Sequence, residues 1–380
     1  MRDHFPDKQL CKDCYSRLIG YGGYGVKRAL KAEDCWICQG LSQEISKFVD
    51  LAIEAVEQYQ FETFGVGTKV DEEILEREEK VRHDLGVDGR DIKTWINRRI
   101  GRELEKRSGK KFVFSDYDIN IIVDTRFDHV TLQVQPVYVY GRYIKLVRGI
   151  PQTKWPCRIC RGVGCRRCGY TGKQYMESVE EIISRVIVER FEGDDESFHG
   201  CGREDIDARM LGTGRPFVVE IKNPRKRKVD LKALEEEINK YANRKVMVKG
   251  LRYSDKGEVV RIKNESYTKV YYAKIVCEKN IQEKRLKEAL SFLEGKIIKQ
   301  QTPTRVSHRR ADKVREKKIY ECKLIWVKKK EALIKIRAES GTYIKELVSG
   351  DEGRTKPSLS EILGLGCEVK ELDVISVEGD

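Results

Sequence analysis

The spacing of apolar residues in the first part of the chain alternates between helical and extended patterns. Apolar positions recur at near-helical intervals over residues 42–60 and again within residues 71–108, which predicts helical segments there. Between and after these segments the apolar residues follow the pattern of strands. The predicted strands cover residues 61–70, 118–123, 130–140 and 143–146. Together these elements predict a small α/β region.

The second half of the chain predicts a larger region. Val179, Ile182 and Val186 recur on one helical face and predict a helix. Further helices are predicted over residues 230–243 and 280–292. The predicted strands cover residues 245–251, 259–263, 266–277, 295–300, 318–328 and 331–338. Runs of strands with interspersed helices predict an α+β domain around a mixed, largely antiparallel sheet.

The composition adds a strongly basic character. Of the 380 residues, 36% are charged and 39% are hydrophobic, and the formal net charge is +13. A positive excess of this size favours a polyanionic partner. No run of about 20 apolar residues occurs, so no membrane-spanning helix is predicted, and the first residues lack the apolar segment of a secretion signal. We therefore expect a cytoplasmic protein.

Eight of the 12 cysteines stand in Cys-x-x-Cys pairs, a spacing typical of metal ligands rather than of a disulfide framework. Each pair places two sulfurs on one tight turn, and two such turns can enclose a tetrahedral zinc ion. The first group consists of Cys11, Cys14, Cys35 and Cys38. This group predicts a structural zinc site, and the alternative is four reduced thiols packed as small apolar residues.

The second group of cysteines is more compact. It consists of Cys157, Cys160, Cys165 and Cys168, with four residues between its two pairs. One ion fits such a short spacer only where the loop bends sharply, which the neighbouring glycines allow. The alternative is a charged hinge at a domain boundary. We therefore expect one or two structural zinc ions in all.

Residues 198–217 combine three acids, three arginines and four glycines. Burying unpaired charges is costly, so this density is typical of a solvated loop or of a functional site. Within it, Gly-Arg-Glu-Asp at residues 202–205 resembles the Gly-Arg-x-Asp signature around the catalytic aspartate of pseudouridine synthases. The longer run resembles, more specifically, the archaeal and eukaryotic tRNA pseudouridine synthase family Pus-ten.

This resemblance implies that Asp205 is the catalytic carboxylate, acting either as a nucleophile at the ribose C1′ or as a base at C2′. It also implies that Arg203 contacts the substrate. Asp207 is the rival candidate for the catalytic role. If the segment were an extended strand, the side chains of Asp205 and Asp207 would point to opposite faces, so that both could not serve one site.

Further segments resemble the same family in the same order. Lys-Val-Tyr-Tyr-Ala at residues 269–273 implies that Tyr271 stacks on the target base, with Tyr272 as the alternative in register. Gly-Thr-Tyr-Ile-Lys at residues 341–345 implies that Tyr343 and Lys345 contact the substrate. There the lysine replaces the arginine that pairs with the catalytic carboxylate, so charge is kept but a bidentate fork is lost.

The basic segment at residues 301–311 also resembles this family. It implies contacts with the tRNA backbone around a flipped nucleotide. The residues implied are Arg305, His308, Arg309 and Arg310. The alternative is a basic loop that binds RNA weakly or not at all.

Taken as a whole, the resemblance implies an isomerase that converts uridine-54, with uridine-55 as a further candidate, to pseudouridine in the T-arm of tRNA. No catalytic cofactor is implied, and the glycine-rich residues 20–25 follow no predicted strand, so no nucleotide cofactor is expected. The alternative is a zinc-containing tRNA-binding protein without catalysis. The expected domains are a zinc-binding segment (1–42), a THUMP-like tRNA-binding region (43–150), the second cysteine group with a linker (151–176) and a catalytic domain (177–380).

Overall fold

The computed structural model describes residues 9–19, 27–29, 31–265 and 267–378, without the side chains of Lys27, His308 and Arg309. The glycine-rich residues 20–25 lie outside these ranges. Within the ranges, no helix is both long enough and apolar enough to cross a membrane. The chain divides into two compact units. The first comprises Met1–Pro136, Phe191–Asp195 and Lys222–Lys228, and the second comprises Val137–Arg190, Glu196–Ile221 and Val229–Asp380.

The first unit combines helices with a four-stranded sheet of order β4-β3-β5-β6 and a parallel β1-β2 pair. Its helices are α1 (Lys12–Leu18), α2 (Ile45–Val56), α3 (Glu72–Leu85) and α4 (Ile92–Ser108). Its strands are β1 (Gln9–Leu10), β2 (Lys27–Arg28), β3 (Thr63–Lys69), β4 (Lys111–Phe112), β5 (Ile119–Asp124) and β6 (His129–Val134). Strand β3 is parallel to β4 and β5, and β6 is antiparallel to β5.

The core of the first unit lies where α2 and α4 pack on each other and on the sheet. Phe48 and Ala52 of α2 are fully buried, and so are Ile96 and Ile100 of α4. Each pair is four residues apart, one turn along the helix, so the apolar stripe read from the sequence faces this core.

The strands predicted over residues 130–140 and 143–146 divide differently in the structure. Strand β6 ends at Val134, and the next strand, β7 (Val137–Lys145), begins after Pro136 and runs through the second predicted stretch. Proline has no backbone N–H to donate to a ladder, so the extended apolar pattern is interrupted there.

The second unit is built on a ten-stranded sheet of order β10-β7-β9-β16-β11-β14-β13-β12-β15, with β8 paired to β9. Its remaining strands are β8 (Asp195–Gly200), β9 (Ala208–Lys222), β10 (Val246–Ser254), β11 (Thr268–Cys277), β12 (Ile297–Gln301), β13 (Val314–Lys328), β14 (Glu331–Ala338), β15 (Thr355–Lys356) and β16 (Cys367–Glu378). Its helices are α5 (Val179–Phe191), α6 (Leu231–Tyr241), α7 (Lys256–Asn264), α8 (Glu283–Leu293), α9 (Ile344–Ser349) and α10 (Leu359–Leu363).

The pairing in this sheet is mixed and largely antiparallel, as predicted. Strand β16 is parallel to β9, whereas β11 is antiparallel to both of its neighbours, β14 and β16. Burial alternates strictly along β11, so its odd-numbered residues face the interior. At the end of β11, Cys277 forms a disulfide with Cys367 of β16, a pairing that the cysteine spacing did not indicate.

The strand predicted over residues 259–263 is wrong, because these residues belong to α7. Asp255 caps this helix by accepting a hydrogen bond from the backbone N–H of Glu258. Val259 and Ile262 are buried at helical spacing. A run this short contains too few apolar positions to distinguish the periodicity of a helix from that of a strand.

Candidate active site

The charge-dense segment forms a loop between β8 and β9. Gly202 has a φ of +67°, a conformation open to glycine at little cost. After it the chain turns, and the backbone N–H of Ala208 donates to the carbonyl of Asp205 at 3.0 Å. This turn sends the neighbouring side chains of Glu204 and Asp205 into different surroundings.

Glu204 lies in what we call the buried cluster, made of Tyr143, Lys145, Glu204 and Arg215. The side chains of Glu204 and Lys145 are 0% exposed. Glu204 Oε2 lies 2.9 Å from Arg215 Nε and accepts a hydrogen bond from the Tyr143 hydroxyl at 2.7 Å. Lys145 Nζ lies 3.6 Å from Glu204 Oε1. Two cationic side chains therefore face one buried carboxylate of the loop.

Burial alone would raise the pKa of Glu204, but Arg215, Lys145 and the Tyr143 hydroxyl together hold it below its usual range. Burial likewise lowers the pKa of Lys145, against the pull of Glu204. For Tyr143, burial and the Glu204 charge raise the pKa well above its usual range. In this cluster the Glu204 carboxylate is therefore an anion with cations beside it, and the Tyr143 phenol is neutral.

Asp205 lies in what we call the open cluster, made of Asp205, Asp207, Arg305, Lys345 and Glu346. Asp205 Oδ1 lies 3.1 Å from Arg305 Nη1, and its Oδ2 lies 3.7 Å from Lys345 Nζ. The Asp205 side chain is 30% exposed. The Asp205 carboxylate therefore has two cations beside it and an open side.

Arg305 is held from two sides. Its Nε lies 2.6 Å from Glu346 Oε1, and its Nη1 donates to Asp205. Burial lowers the pKa of Arg305, but Glu346 and Asp205 outweigh it and the pKa ends above its usual value. The sequence predicts Arg305 at the tRNA backbone; in the structure its guanidinium lies nearer to Asp205 than the Lys345 ammonium does.

Lys345 also meets both aspartates of the loop. Its Nζ lies 2.6 Å from Asp207 Oδ2, closer than to Asp205. The strand geometry that would point Asp205 and Asp207 to opposite faces does not occur, because residues 205–207 turn instead of continuing as a strand. Burial raises the pKa of Asp207, but its hydrogen bond and charge interaction with Lys345 bring it below the usual range.

A cavity opens beside the open cluster. Its walls include Arg203, Asp205, Ala208, Lys269, Tyr271, Arg305, Val306, Arg310, Tyr343, Lys345, Leu372 and Val374. Tyr271 is 7% exposed and shares the inward face of β11, while Tyr272 occupies the opposite face. Burial raises the pKa of Tyr271 to about 12. The cavity thus joins a carboxylate, cations and an aromatic wall.

Tyr343 stands at the start of α9, where its backbone is fixed. The Gln300 side chain accepts from the Tyr343 N–H at 2.9 Å and donates to its carbonyl at 2.9 Å. Arg310 Nη1 donates to the Tyr343 hydroxyl at 2.9 Å, and the Arg305 guanidinium lies 6.0 Å from the ring centroid. Tyr343 therefore joins α9 to the basic segment at the cavity edge.

Three further residues predicted to contact the substrate are Arg203, His308 and Arg309. The Arg203 guanidinium lies 5.9 Å from the Trp155 ring centroid and lines the cavity. The backbones of His308 and Arg309 belong to the short helical turn Thr304–Arg309. Their side chains lie outside the described part of the chain.

Sequence reasoning missed the buried cluster and Glu346. Glu204 was only the variable position of a motif. One signal was present: Lys145 and Arg215 are single charges inside or beside apolar strand stretches. A charge in such a position is buried only when it is paired.

The first cysteine group is buried in the core of the first unit. Its four sulfurs lie within 4.8 Å of one another, and Cys11 Sγ and Cys38 Sγ are 3.6 Å apart. Four thiolates at about 2.3 Å from a tetrahedral ion are about 3.8 Å apart. These four residues therefore fit one metal ion.

The second cysteine group is partly exposed, but its sulfur–sulfur distances also fit one metal ion. Its sulfurs also lie within 4.8 Å of one another, with Cys157 Sγ to Cys165 Sγ at 4.0 Å. The spacer bends sharply at Gly164, where φ is +103° and an added Cβ would lie 2.8 Å from the Tyr170 carbonyl oxygen. The Gly172 N–H donates to Cys168 Sγ at 3.3 Å. The short spacer therefore closes without separating the ligands.

Comparisons with known proteins agree with this architecture. A family profile described as "Pus10, C-terminal" matches residues 138–378, and one described as "Pus10 THUMP domain, archaeal" matches residues 48–124. The tRNA pseudouridine synthase Pus10 of Archaeoglobus fulgidus is 44% identical over 368 residues, covering 97% of this chain and 99% of that protein. That of Methanothrix thermoacetophila is 46% identical over 350 residues, covering 91% and 77%.

A more distant likeness is to a solved Cbf5-Nop10-Gar1 complex, with 15% identity, coverage of 62% of this chain and 48% of that chain, and a TM-score of 0.34. This likeness is too weak to inform the site. The profile and relatives define the class: the chain is a pseudouridine synthase, and thus an isomerase. Within that class it belongs to the Pus10 family. The predicted α+β fold and the predicted THUMP domain are confirmed.

Proposed function

We propose that this protein converts uridine-54 in the T-arm of tRNA to pseudouridine, with uridine-55 as a second target, and that Asp205 acts at the ribose. The observation that carries the proposal is the Asp205 carboxylate, held by Arg305 and Lys345 at the edge of a cavity with an aromatic wall. The named relatives support tRNA as the substrate.

The isomerisation breaks the N1–C1′ bond of uridine, turns the base and joins C5 to C1′. Asp205 can act in two ways. Its carboxylate can attack C1′ and carry the ribose as an ester, or it can remove the C2′ proton and leave a glycal. Both routes need an ionised carboxylate beside the sugar, and two cations, Arg305 and Lys345, lie beside the Asp205 carboxylate.

Arg305 has a positioning role in this scheme. Its guanidinium bridges Asp205 and the buried carboxylate of Glu346, which fixes the direction of the Asp205 side chain. The Tyr271 ring supplies a stacking surface for the released base. Arg203 and Arg310 also line the cavity, where positive charge suits contacts with phosphate groups. The THUMP domain and the net charge of +13 support binding of the tRNA body.

An unmodified tRNA transcript tests this proposal. Pseudouridine is mapped by carbodiimide labelling and primer extension after reaction with wild type, Asp205→Asn and Asp207→Asn. We expect a T-arm stop with wild type and with Asp207→Asn, and none with Asp205→Asn. Asp207 is a matched control, because it shares the loop and the Lys345 contact.

Other outcomes have clear meanings. Tight tRNA binding without a stop in any sample would favour a zinc-containing tRNA-binding protein without catalysis. A stop with Asp205→Asn but not with Asp207→Asn would transfer the catalytic role to Asp207. A stop outside the T-arm would contradict the proposed target.

We also propose that each cysteine group holds a structural zinc ion. Zinc would fix two turns of the chain in each place and take no part in the reaction. Elemental analysis should find two zinc ions per wild-type chain and about one in the double variant Cys157→Ser/Cys160→Ser. Cys201→Ser, a buried cysteine outside both groups, should retain two. Equal zinc in all three proteins would contradict the second site.

A further inference from the structure

Lys269 is a cation at the cavity that has no role in the scheme above. Lys269 lies on β11 two residues before Tyr271, on the same inward face, and is 6% exposed. It lines the cavity together with Asp205 and Tyr271. Its partners in the adjacent strands are Ala338 and Val377, which carry no charge.

The ammonium of Lys269 lacks a close anion. Within the described part of the chain, it donates no hydrogen bond to a neighbouring side chain or carbonyl. Burial lowers its pKa to about 8, with Arg215 and Lys317 acting in the same direction and Cys201 and Glu204 opposing them. Buried ammonium groups are normally paired or hydrogen-bonded. An unpaired one facing a cavity therefore calls for an acceptor from a bound ligand.

The backbone of Gly202 lies close to Lys269 and to Arg215. A Cβ added at Gly202 would lie 3.2 Å from Lys269 Nζ and 3.4 Å from Arg215 Nη1. Arg215 is already engaged, since its Nη1 donates to the Cys201 carbonyl and its Nε faces Glu204. Of these two cations, Arg215 has a buried carboxylate beside it, whereas Lys269 has no hydrogen bond within the described part of the chain.

The chemistry of the reaction supplies a matching acceptor. When the N1–C1′ bond breaks, its electron pair leaves with N1, and the uracil carries a negative charge spread over N1, O2 and O4. When C5 joins C1′, the C5 proton is lost and N1 gains a proton, so uridine and pseudouridine balance as isomers. A fixed cation at a carbonyl oxygen stabilises the intermediate charge more than the neutral base.

We propose that the Lys269 ammonium donates to a carbonyl oxygen of the target uracil and stabilises the anion formed when the N1–C1′ bond breaks. Lys269 keeps its proton throughout and acts as a catalytic cation beside the Tyr271 stacking surface. The inference rests on the proposed function, because it requires uridine in this cavity.

Single-turnover conversion of the tRNA transcript tests the proposal. Lys269→Met, which removes the charge but keeps the length, should slow conversion about 100- to 1000-fold, the loss typical of removing one such donor. The matched control is Lys274→Met, from the opposite face of the same strand, which should change the rate by less than about 3-fold. tRNA binding is measured for each variant to separate chemistry from affinity.

The two proposals fail in different ways. No pseudouridine from wild type would sink the proposed function. An active wild type with an equally fast Lys269→Met would overturn the inference about Lys269 alone. Slow conversion with normal tRNA binding in Lys269→Met supports it.

A pH profile distinguishes a catalytic cation from a packing residue and replaces the first test if Lys269→Met does not fold. The wild-type rate should fall as pH rises through about 8, because the neutral amine no longer stabilises the anion. Lys269→Arg stays charged, so the rate of wild type relative to this variant should fall over the same interval. A ratio independent of pH would overturn the proposal.

Discussion

Glu204 and Asp205 are neighbours in sequence, yet they belong to two ionic clusters that differ mainly in burial. Each carboxylate faces two cations: Arg215 and Lys145 for Glu204, and Arg305 and Lys345 for Asp205. The Glu204 side chain is 0% exposed, whereas that of Asp205 is 30% exposed. Both carboxylates have cations beside them, and burial distinguishes the one that supports the loop from the one that can meet a substrate.

The largest difference between the buried cluster and the open cluster is expected in the free energy of unfolding. Glu204→Gln leaves Arg215 and Lys145 buried without their anion, and breaking a buried pair in this way costs about 3–5 kcal/mol. Asp205→Asn, at a partly exposed position, should cost less than about 1 kcal/mol. Urea unfolding measures both. Equal losses would mean that the two clusters do not differ as their burial indicates.

The next contrast lies within the open cluster. Arg305→Lys keeps the charge but loses the fork that joins Asp205 to Glu346. We expect kcat/KM to fall about 10- to 100-fold, as positioning losses do. Lys345→Arg, a change in the opposite direction, should alter it by less than about 5-fold. A larger effect at Lys345 than at Arg305 would reverse their roles.

The smallest contrast is in acid stability. The pKa of Glu204 is lower in the folded protein than in the unfolded chain, so the unfolded chain takes up its proton first as pH falls. The stabilisation is full above about pH 4.3 and is lost as pH falls through the folded-state pKa, by at most about 1.4 kcal/mol per pH unit. Glu204→Gln should lack this component and Asp205→Asn should retain it, as measured by urea unfolding between pH 3 and about 6.

The sequence predicted the features that are local. The helical spacing of Phe48 and Ala52 in α2 is enough to predict that they are buried, and the Cys-x-x-Cys pairs are recognised from their spacing alone. The motifs around Asp205, Tyr271 and Lys345 are also short and contiguous, and the structure brings all three to one cavity.

What the sequence did not predict depends on distant parts of the chain. The buried cluster joins Tyr143 and Lys145 of β7 to Arg215 of β9 and to the loop, and no local pattern encodes that meeting. The partner of Asp205 was assigned to Lys345 from a motif, whereas Arg305 is nearer because the basic segment folds back over α9. The side-chain directions of Asp205 and Asp207 depend on a turn and not on strand alternation.

Strand β11 carries both Tyr271 and Lys269 and is hydrogen-bonded on both sides, to β14 and to β16. A strand that is hydrogen-bonded on both sides cannot move toward a substrate. The target nucleotide must therefore leave its own stack and move to the strand. Extruding a base costs a few kcal/mol, and least where pairing and stacking are already weak. Under the proposed function, the position of Tyr271 and Lys269 is fixed, so the choice of uridine depends on the motion of the RNA. Of two uridines in the same sequence, the one whose loop opens more often is modified first.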